Sequence, residues 1–293
     1  MDMFDTFADA YVSLRCQLLD ANLVSPRGNQ TREICGASFA IRYPRSRLGY
    51  HEKRQYNLPF ALAEATLLFQ ESKSVKLPSL FNHNVCQFAD DEILYGAYGA
   101  RIHQSIYDVV EKLRNDADSR QAVLTIYNSF DMRPVVKDVP CTIALHFMIR
   151  NNKLNLHVYM RSNDIFWGTM YDVVMFTILQ EVVANHLGID VGIYYHTSSS
   201  LHVYQRHFGM LEEIHELEPV AFDVPYDISF MRELAHFYTS LCNGKLEDKL
   251  YCSLYPFSNI FAAAYCKKMK IPNISAVPQW ADLFMKINHT SQE

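Results

Sequence analysis

Three short segments of this 293-residue chain carry side chains whose types and spacing suit ionic or covalent chemistry. In Asp138-Val139-Pro140-Cys141-Thr142 a proline closes one segment and a β-prone run begins, so a thiol stands at an element boundary. A thiolate presented there is a nucleophile; a cysteine packed in a strand is the commoner alternative, because unpaired Cys is among the most buried residue types. Arg161-Ser162-Asn163-Asp164 brings a guanidinium, a hydroxyl and a carboxylate to the end of an alternating strand. An arginine fork suits a phosphate, and a salt bridge with Ser162 or Asp164 capping a helix accounts equally for the same residues. His202-Val203-Tyr204 puts an imidazole and a phenol on one strand face, within reach of a sugar hydroxyl or simply packed as a pair. Glu64, among apolar neighbours, reads either as a carboxyl suited to proton relay or as half of a buried ion pair.

The elements that must position these groups follow from periodicity. Phe4, Phe7, Tyr11, Leu14 and Leu18 predict an opening amphipathic helix, followed by the loop Pro26-Arg27-Gly28-Asn29 and a strand from Ile34 to Ile41. Leu58 to Gln70 reads as a helix with Pro59 in its first turn, and Ile102 to Leu113 as another. Ala122 to Tyr127 and Thr142 to Ile149 read as strands. Leu154, Leu156, Val158 and Met160 alternate with polar residues, a half-buried strand entered from a hairpin at Asn151-Asn152-Lys153. A helix over 172–187 and two strand pieces, Gly192 to His196 and Leu201 to Tyr204, come next. Past about residue 211 helices are predicted near 227–242, 256–269 and 279–287. The expected domains are therefore a catalytic body over 1–210 and a mostly helical extension over 211–293, together of α+β class.

Composition bounds the function. A chain that is 49% hydrophobic buries a large core. Its 27 basic and 32 acidic residues, net charge -5, give no broad footprint for a nucleic-acid polymer. Seven scattered cysteines without a C-x-x-C pair suggest neither a disulfide framework nor a zinc site, and a cytoplasmic location is expected. The most apolar stretch, Val173 to Ile189, is broken by Gln180, Glu181, Asn185 and His186, so a core helix rather than a membrane span is expected. The N-terminus shows no basic region followed by an apolar run.

Taken in order, Pro140-Cys141, Arg161-Ser162-Asn163-Asp164, Asp172 and His202-Val203-Tyr204 resemble the thymidylate synthase family in sequence and separation. Upstream, Ala63-Glu64-Ala65-Thr66-Leu67-Leu68-Phe69 resembles that family's Glu-bearing helix, Tyr98-Gly99 its Tyr-Gly pair, and Asp118-Ser119-Arg120 its phosphate-reaching arginine segment. Gly36-Ala37-Ser38-Phe39, Met160 to Asp164, Thr142 after the cysteine, and Ser200 to Tyr204 are most similar to the deoxycytidylate hydroxymethylase branch. The likeness implies a thymidylate synthase-like fold: a mixed twisted sheet with flanking helices. It implies that Cys141 adds to C6 of a pyrimidine mononucleotide, with Glu64, Tyr98 and Asp172 ordering a water. Arg161, Ser162, Arg27 and, from the second subunit of a homodimer, Arg120 would hold the phosphate. His202 and Tyr204 would hold the sugar, with Asp164 and Trp167 on the side of the cofactor, 5,10-methylenetetrahydrofolate.

Asp172 stands where the synthases carry a uracil-reading Asn. Uracil offers an N3–H donor and an O4 acceptor, whereas cytosine offers an N3 acceptor and an N4–H2 donor. A carboxyl accepts from N4–H2 and, when protonated, donates to N3, so cytosine is expected, with discrimination on the order of 10⁴-fold. A helix-start carboxylate favoured by the dipole is the structural alternative. The implied reaction is C5 hydroxymethylation of dCMP, which Ser162 favours over CMP. Alternatives are a CMP hydroxymethylase of nucleoside-antibiotic biosynthesis, a dCMP C5-methylase, and a non-catalytic nucleotide-binding homologue. Gln121 departs from the family's second arginine, leaving the phosphate cluster one charge short unless Arg133 or another residue compensates. Trp167-Gly168-Thr169-Met170-Tyr171 departs from Leu-Gly-Leu-Pro-Phe, residues from about 211 match poorly, and the polar end Asn288 to Glu293 suggests a different fate for the intermediate.

Overall fold

The structure is a computed structural model that describes residues 1–54, 56–132, 136–245, 256–270 and 277–287. In chain order its elements are β1 (Asp2–Phe4), α1 (Phe7–Leu19), β2 (Leu23–Val24), β3 (Thr31–Ile41), β4 (Leu48–Tyr50), α2 (Leu58–Leu67), α3 (Lys76–Ser79), α4 (Gly99–Ile102), α5 (Ser105–Asn115), β5 (Val123–Thr125), β6 (Thr142–Arg150), β7 (Lys153–Met160), β8 (Asn163–Asp164), α6 (Thr169–Leu187), β9 (Asp190–Tyr204), α7 (Phe208–Glu213), β10 (Glu218–Val220), α8 (Ile228–Cys242), α9 (Phe257–Met269) and α10 (Gln279–Ile287). These form two compact units. The first comprises Met1–Arg54, Ser105–Asn128 and Pro140–Val224, and the second the described parts of 55–104, 129–139 and 225–293.

The first unit is built on a mixed sheet in the order β1-β3-β9-β7-β6-β5, with β2 paired to β3 and β8 to β9. The alternation of residues 154–160 sets its register: Leu156 lies beside Tyr194 and Val158 beside His196, all buried, under helix α6. On the opposite face His157 stacks on Tyr195 with ring centroids 4.0 Å apart. Strand β9 runs unbroken through Thr197-Ser198-Ser199-Ser200, where two separate pieces were expected. Pairing with β3 carries it across, and Ser38 Oγ donates to Thr197 Oγ1 at 3.1 Å. Helix α6 begins at Thr169 rather than 172, and its N-cap, Gly168, makes no side-chain capping bond.

Helix α6 is buried almost all round, so its polar side chains need internal partners. Gln180 donates to the Leu154 carbonyl at 2.8 Å. Glu181 receives Arg45 at 2.6 Å and also pairs with Arg47, which is 0% exposed. The Arg47 guanidinium lies 4.8 Å from the Phe222 ring, and its Nε and Nη1 have no hydrogen-bond partner. Burial depresses its pKa while Glu181 opposes that shift. The pair is a sealed charge couple.

The second unit is helical. α8 packs on α9, α2 and α3, and α2 also meets α9 and α10. Tyr238 Oη donates to the Leu77 carbonyl at 2.8 Å, and Thr239 Oγ1 to Gln70 at 3.1 Å. The three C-terminal helices expected from sequence are present and share their core with residues 58–67.

Removing one half of a buried ion pair strands the other. Glu181→Gln should therefore lower stability by about 3 kcal/mol, seen as a lower urea midpoint at unchanged slope. An unchanged midpoint would show that Arg47 does not depend on this carboxylate.

Candidate active site

Hairpin pairing positions the nucleophile candidate. Thr142 pairs with Met160 at the open end of β6 and β7, so the next residues outward, Cys141 and Arg161, face each other. Arg161 N–H donates to the Cys141 carbonyl and its Nε to the Pro140 carbonyl, both at 2.8 Å. Nη2 then lies 3.9 Å from Cys141 Sγ. A guanidinium at that range favours a thiolate.

Beyond Arg161 the chain crosses to β9 as β8, pairing Asn163 with Leu201 and Asp164 with His202. This crossing gathers Arg161, Ser162, His202 and Tyr204 with Arg27 around a cavity of about 370 Å³, also lined by Glu33 and Ser200. Five expected site residues thus share one cavity. Arg27 reaches it from a left-handed backbone conformation (φ 52°) beside Gly28 (φ 79°). Ser200 Oγ donates to Glu33 and lies 3.4 Å from His202 Nδ1; the His202 and Tyr204 rings meet edge to face at 5.2 Å. Sequence reasoning missed Glu33 and Ser200. The signal was there for Ser200, two residues before His202 on the same strand face, but Glu33 needed the β3–β9 register.

Asp172 lies in the first turn of α6. Its Oδ2 accepts from Asn163 Nδ2 at 2.7 Å, and Thr169 Oγ1 donates to Asn163 Oδ1 at 2.7 Å. Burial pushes the Asp172 carboxyl up to about 7, with the Asn163 amide opposing that shift. The residue nonetheless keeps intermediate exposure, so part of it remains accessible. Behind it, burial and the Asp172 charge drive Tyr194 well above the ordinary phenol value. Tyr194 Oη lies 2.9 Å from His196 Nδ1, and burial lowers that imidazole to about 3, keeping it neutral. Asn163, Thr169, Tyr194 and His196 were also missed as site supports, because their partners come from other elements.

Asp164 Oδ1 accepts from the backbone N–H groups of Phe166 (2.7 Å) and Trp167 (3.2 Å), so it caps the turn ahead of α6 rather than the helix. Trp167 is 49% exposed and donates Nε1–H to His207 Nε2 at 3.0 Å. The Arg54 guanidinium lies 5.1 Å from the indole. Arg120 does not line the cavity; it is exposed just before β5, its carbonyl 3.1 Å from His146 Nε2. Gln121 accepts from Lys112 at 3.3 Å, and Arg133 lies outside the described residues.

Glu64 and Tyr98 belong to the second unit. Glu64 is half-buried on α2, and Tyr98 caps α4. Gly99 allows that arrangement: a Cβ there would stand 1.9 Å from the Leu67 carbonyl oxygen, so only glycine lets α4 approach the end of α2.

A hairpin-held cysteine and arginine, a His–Tyr strand face and a mixed sheet under a buried helix agree with what sequence comparison finds. The thymidylate synthase family profile matches residues 69–239, and the chain belongs to that family. One relative, the deoxyuridylate hydroxymethyltransferase of Bacillus phage SP01, is 35% identical over 209 residues, covering 65% of this chain and 55% of that protein. This chain thus spans little more than half the length of that relative. Among the described residues no helix is long and apolar enough to cross a membrane.

Asp172 links the site to stability. In the folded chain it holds its proton to about pH 7, against an ordinary value of 3.8. Between those values the unfolded chain is ionised and the folded chain is not, so stability falls as pH rises through the window and stays at the lower level above it. Asp172→Asn should be more stable than the parent by on the order of 3 kcal/mol at pH 8 and lose that advantage by pH 4. Urea midpoints at the two pH values check this; an equal difference at both would refute the linkage.

Proposed function

We propose that this protein is a folate-dependent hydroxymethyltransferase that acts on C5 of a cytosine mononucleotide, dCMP ahead of CMP. The observation that carries the base assignment is Asp172, a carboxyl held protonated towards neutral pH by burial. A protonated carboxyl donates to N3 of cytosine and accepts from its N4–H2, whereas uracil asks for the opposite pair. Family membership and the hydroxymethyltransferase relative support the reaction class. A second reading, uracil in place of cytosine, is favoured by that relative's name, which specifies deoxyuridylate.

In the proposed mechanism the Cys141 thiolate, stabilised by Arg161, adds to C6 of the ring. That addition raises electron density at N3 and C5. Asp172 answers at N3 with its proton, and C5 becomes the carbon nucleophile. Arg161, Ser162 and Arg27 hold the phosphate, and His202 with Tyr204 the sugar, around the cavity they line. Trp167 offers a half-exposed flat indole, fixed by His207, beside the Asp164 carboxylate, and these fit the planar hydrogen-bonding ring of a reduced folate. 5,10-Methylenetetrahydrofolate, when bound, supplies the one-carbon unit. Loss of the C5 proton and release of tetrahydrofolate would leave an exocyclic methylene on the ring. Glu64, Tyr98 and Asp172 are assigned to ordering the water that adds to it, and expulsion of the Cys141 thiolate from C6 then restores the ring and completes the hydroxymethyl group. Arg120, exposed and off the cavity of its own chain, is assigned to the phosphate site of the partner subunit in a homodimer.

Turnover of dCMP, CMP and dUMP with methylenetetrahydrofolate, read by product mass, tests the assignment. dCMP should give a hydroxymethylated product without the rise in dihydrofolate absorbance that a methylase produces. Asp172→Asn should shift preference towards dUMP, and Cys141→Ser should abolish tritium release from [5-3H]dCMP. Preferred turnover of dUMP by the parent protein would overturn the cytosine reading, and tritium release by Cys141→Ser would overturn covalent catalysis.

The dimer assignment has its own test. Arg120→Ala and Cys141→Ser should each be nearly inactive alone, and mixing them after subunit exchange should restore about a quarter of parental activity, as expected when one site per heterodimer is intact. No recovery in a mixture shown to contain heterodimer would return Arg120 to its own subunit.

A further inference from the structure

We propose that Asn163 and Thr169 are positioning residues that fix the proton of Asp172 on Oδ1, the oxygen Asn163 does not touch, and thereby set the choice between cytosine and uracil. The inference rests on the cytosine reading above and deepens it.

The argument starts at Thr169, which is 0% exposed. Its hydroxyl has two neighbours, Asn163 Oδ1 at 2.7 Å and the Asp164 carbonyl at 3.3 Å. With the amide oxygen facing it the hydroxyl proton makes a 2.7 Å bond, whereas a turned amide would leave that proton only the Asp164 carbonyl at 3.3 Å, beyond the usual O–H···O range, so the first arrangement is favoured. With its carbonyl so committed, Asn163, itself 2% exposed, turns its N–H2 to Asp172 Oδ2 at 2.7 Å. An oxygen receiving an N–H cannot also carry a proton along that line. A carbonyl oxygen is a stronger acceptor than a carboxylic hydroxyl oxygen, so the amide N–H on Oδ2 makes Oδ2 the carbonyl and places the proton on Oδ1. Oδ2 keeps a second lone pair. Together they offer one donor and one acceptor, the complement of N3 and N4–H2 of cytosine.

The opposite state is equally definite. If the amide turned over, Asn163 Oδ1 and Asp172 Oδ2 would be two oxygens 2.7 Å apart, a contact that needs the proton between them. Oδ1 would then be a bare acceptor, suited to the N3–H of uracil. The Thr169 hydroxyl selects between these two hydrogen-bonding patterns without touching the base. Burial supports the scheme by keeping the carboxyl protonated to about 7.

The test is the ratio of kcat/KM for dCMP to that for dUMP in the full-length parent, Thr169→Val, Thr169→Ser and Asn163→Ala, each with its pH profile. Thr169→Val removes the hydroxyl at nearly constant shape, and the ratio should fall about tenfold or more, with dUMP turnover rising. Thr169→Ser keeps the hydroxyl and should keep the ratio. Asn163→Ala reports independently should Thr169→Val fold poorly: its ratio should fall too. The alkaline limb of its dCMP profile should move to higher pH, because the amide N–H that favours the ionised carboxyl is gone. If the parent prefers dUMP, the cytosine reading fails and this inference with it. If the parent prefers dCMP while Thr169→Val and Asn163→Ala keep both ratio and pH limb, only this inference is overturned. A Thr169→Ser ratio as low as that of Thr169→Val would also overturn it, by assigning the effect to packing.

Discussion

The side-chain bond from Arg161 to the Pro140 carbonyl is the constraint on which the proposed chemistry depends. It ties the exit of β7 to the entry of β6, and it fixes the guanidinium with one edge anchored and another turned to the Cys141 sulfur. A long arginine side chain in water surrenders considerable rotamer entropy to hold one pose. Here the backbone is held by the Arg161 N–H bond to the Cys141 carbonyl, and the Nε bond to the Pro140 carbonyl sets the side-chain pose. The same residue lines the cavity with His202 and Tyr204, so a single cation connects the thiol to the place assigned to the phosphate. In the proposed mechanism the phosphate and the Cys141 thiolate would share that one cation.

Helix α6 supplies the second constraint by crossing the core with charged and polar groups that must each be answered. Glu181 is answered by Arg45 and Arg47 and the Gln180 amide N–H by a strand carbonyl, while among the described residues Asp172 is answered by one side-chain amide. The asymmetry is informative. Glu181 faces two guanidinium groups, whereas the Asp172 carboxyl, with one neutral donor in a desolvated place, keeps its proton to about pH 7. Two acidic residues on the same helix therefore stand in opposite electrostatic circumstances, set by their surroundings rather than by their type.

Much of the architecture was legible because apolar periodicity survives wherever one face is buried. The alternation from Leu154 to Met160 gave β7 and its hairpin, while the register that sets Cys141 opposite Arg161 is visible only in the strand pairing. Strand β9 was misread as two pieces because small polar residues from Thr197 to Ser200 look like a turn. Their pairing with Ala37 and Ser38 keeps them extended, which no local pattern reveals. The grouping of residues 55–104 with the C-terminal helices was equally hidden, since it rests on contacts such as Tyr238 to Leu77, 161 residues apart. Taken by itself Cys141 read more readily as a packed thiol than as a nucleophile. Family resemblance, not spacing, put the nucleophile forward.

Asn163 shows how a residue can be read within its segment while its contacts go unseen. It was read as one letter of the Arg161 to Asp164 segment, with α6 expected to begin at residue 172. That boundary leaves Thr169 in a loop and Asp172 as a capping residue. Because α6 begins three residues earlier, Thr169 and Asp172 lie a turn apart on one side of the helix, and both point to the same amide. One turn of helix joins Asn163, Thr169 and Asp172 into a chain in which each hydrogen bond dictates the direction of the next. An Asn at position 172 could satisfy Asn163 with its own carbonyl oxygen and would place its amide N–H2 on the opposite side, with no proton to lose. Asp offers the same oxygen but fills the other position with a titratable O–H. The two residues are nearly equal in shape, so the distinction between them is carried by one proton and by whatever decides where that proton sits.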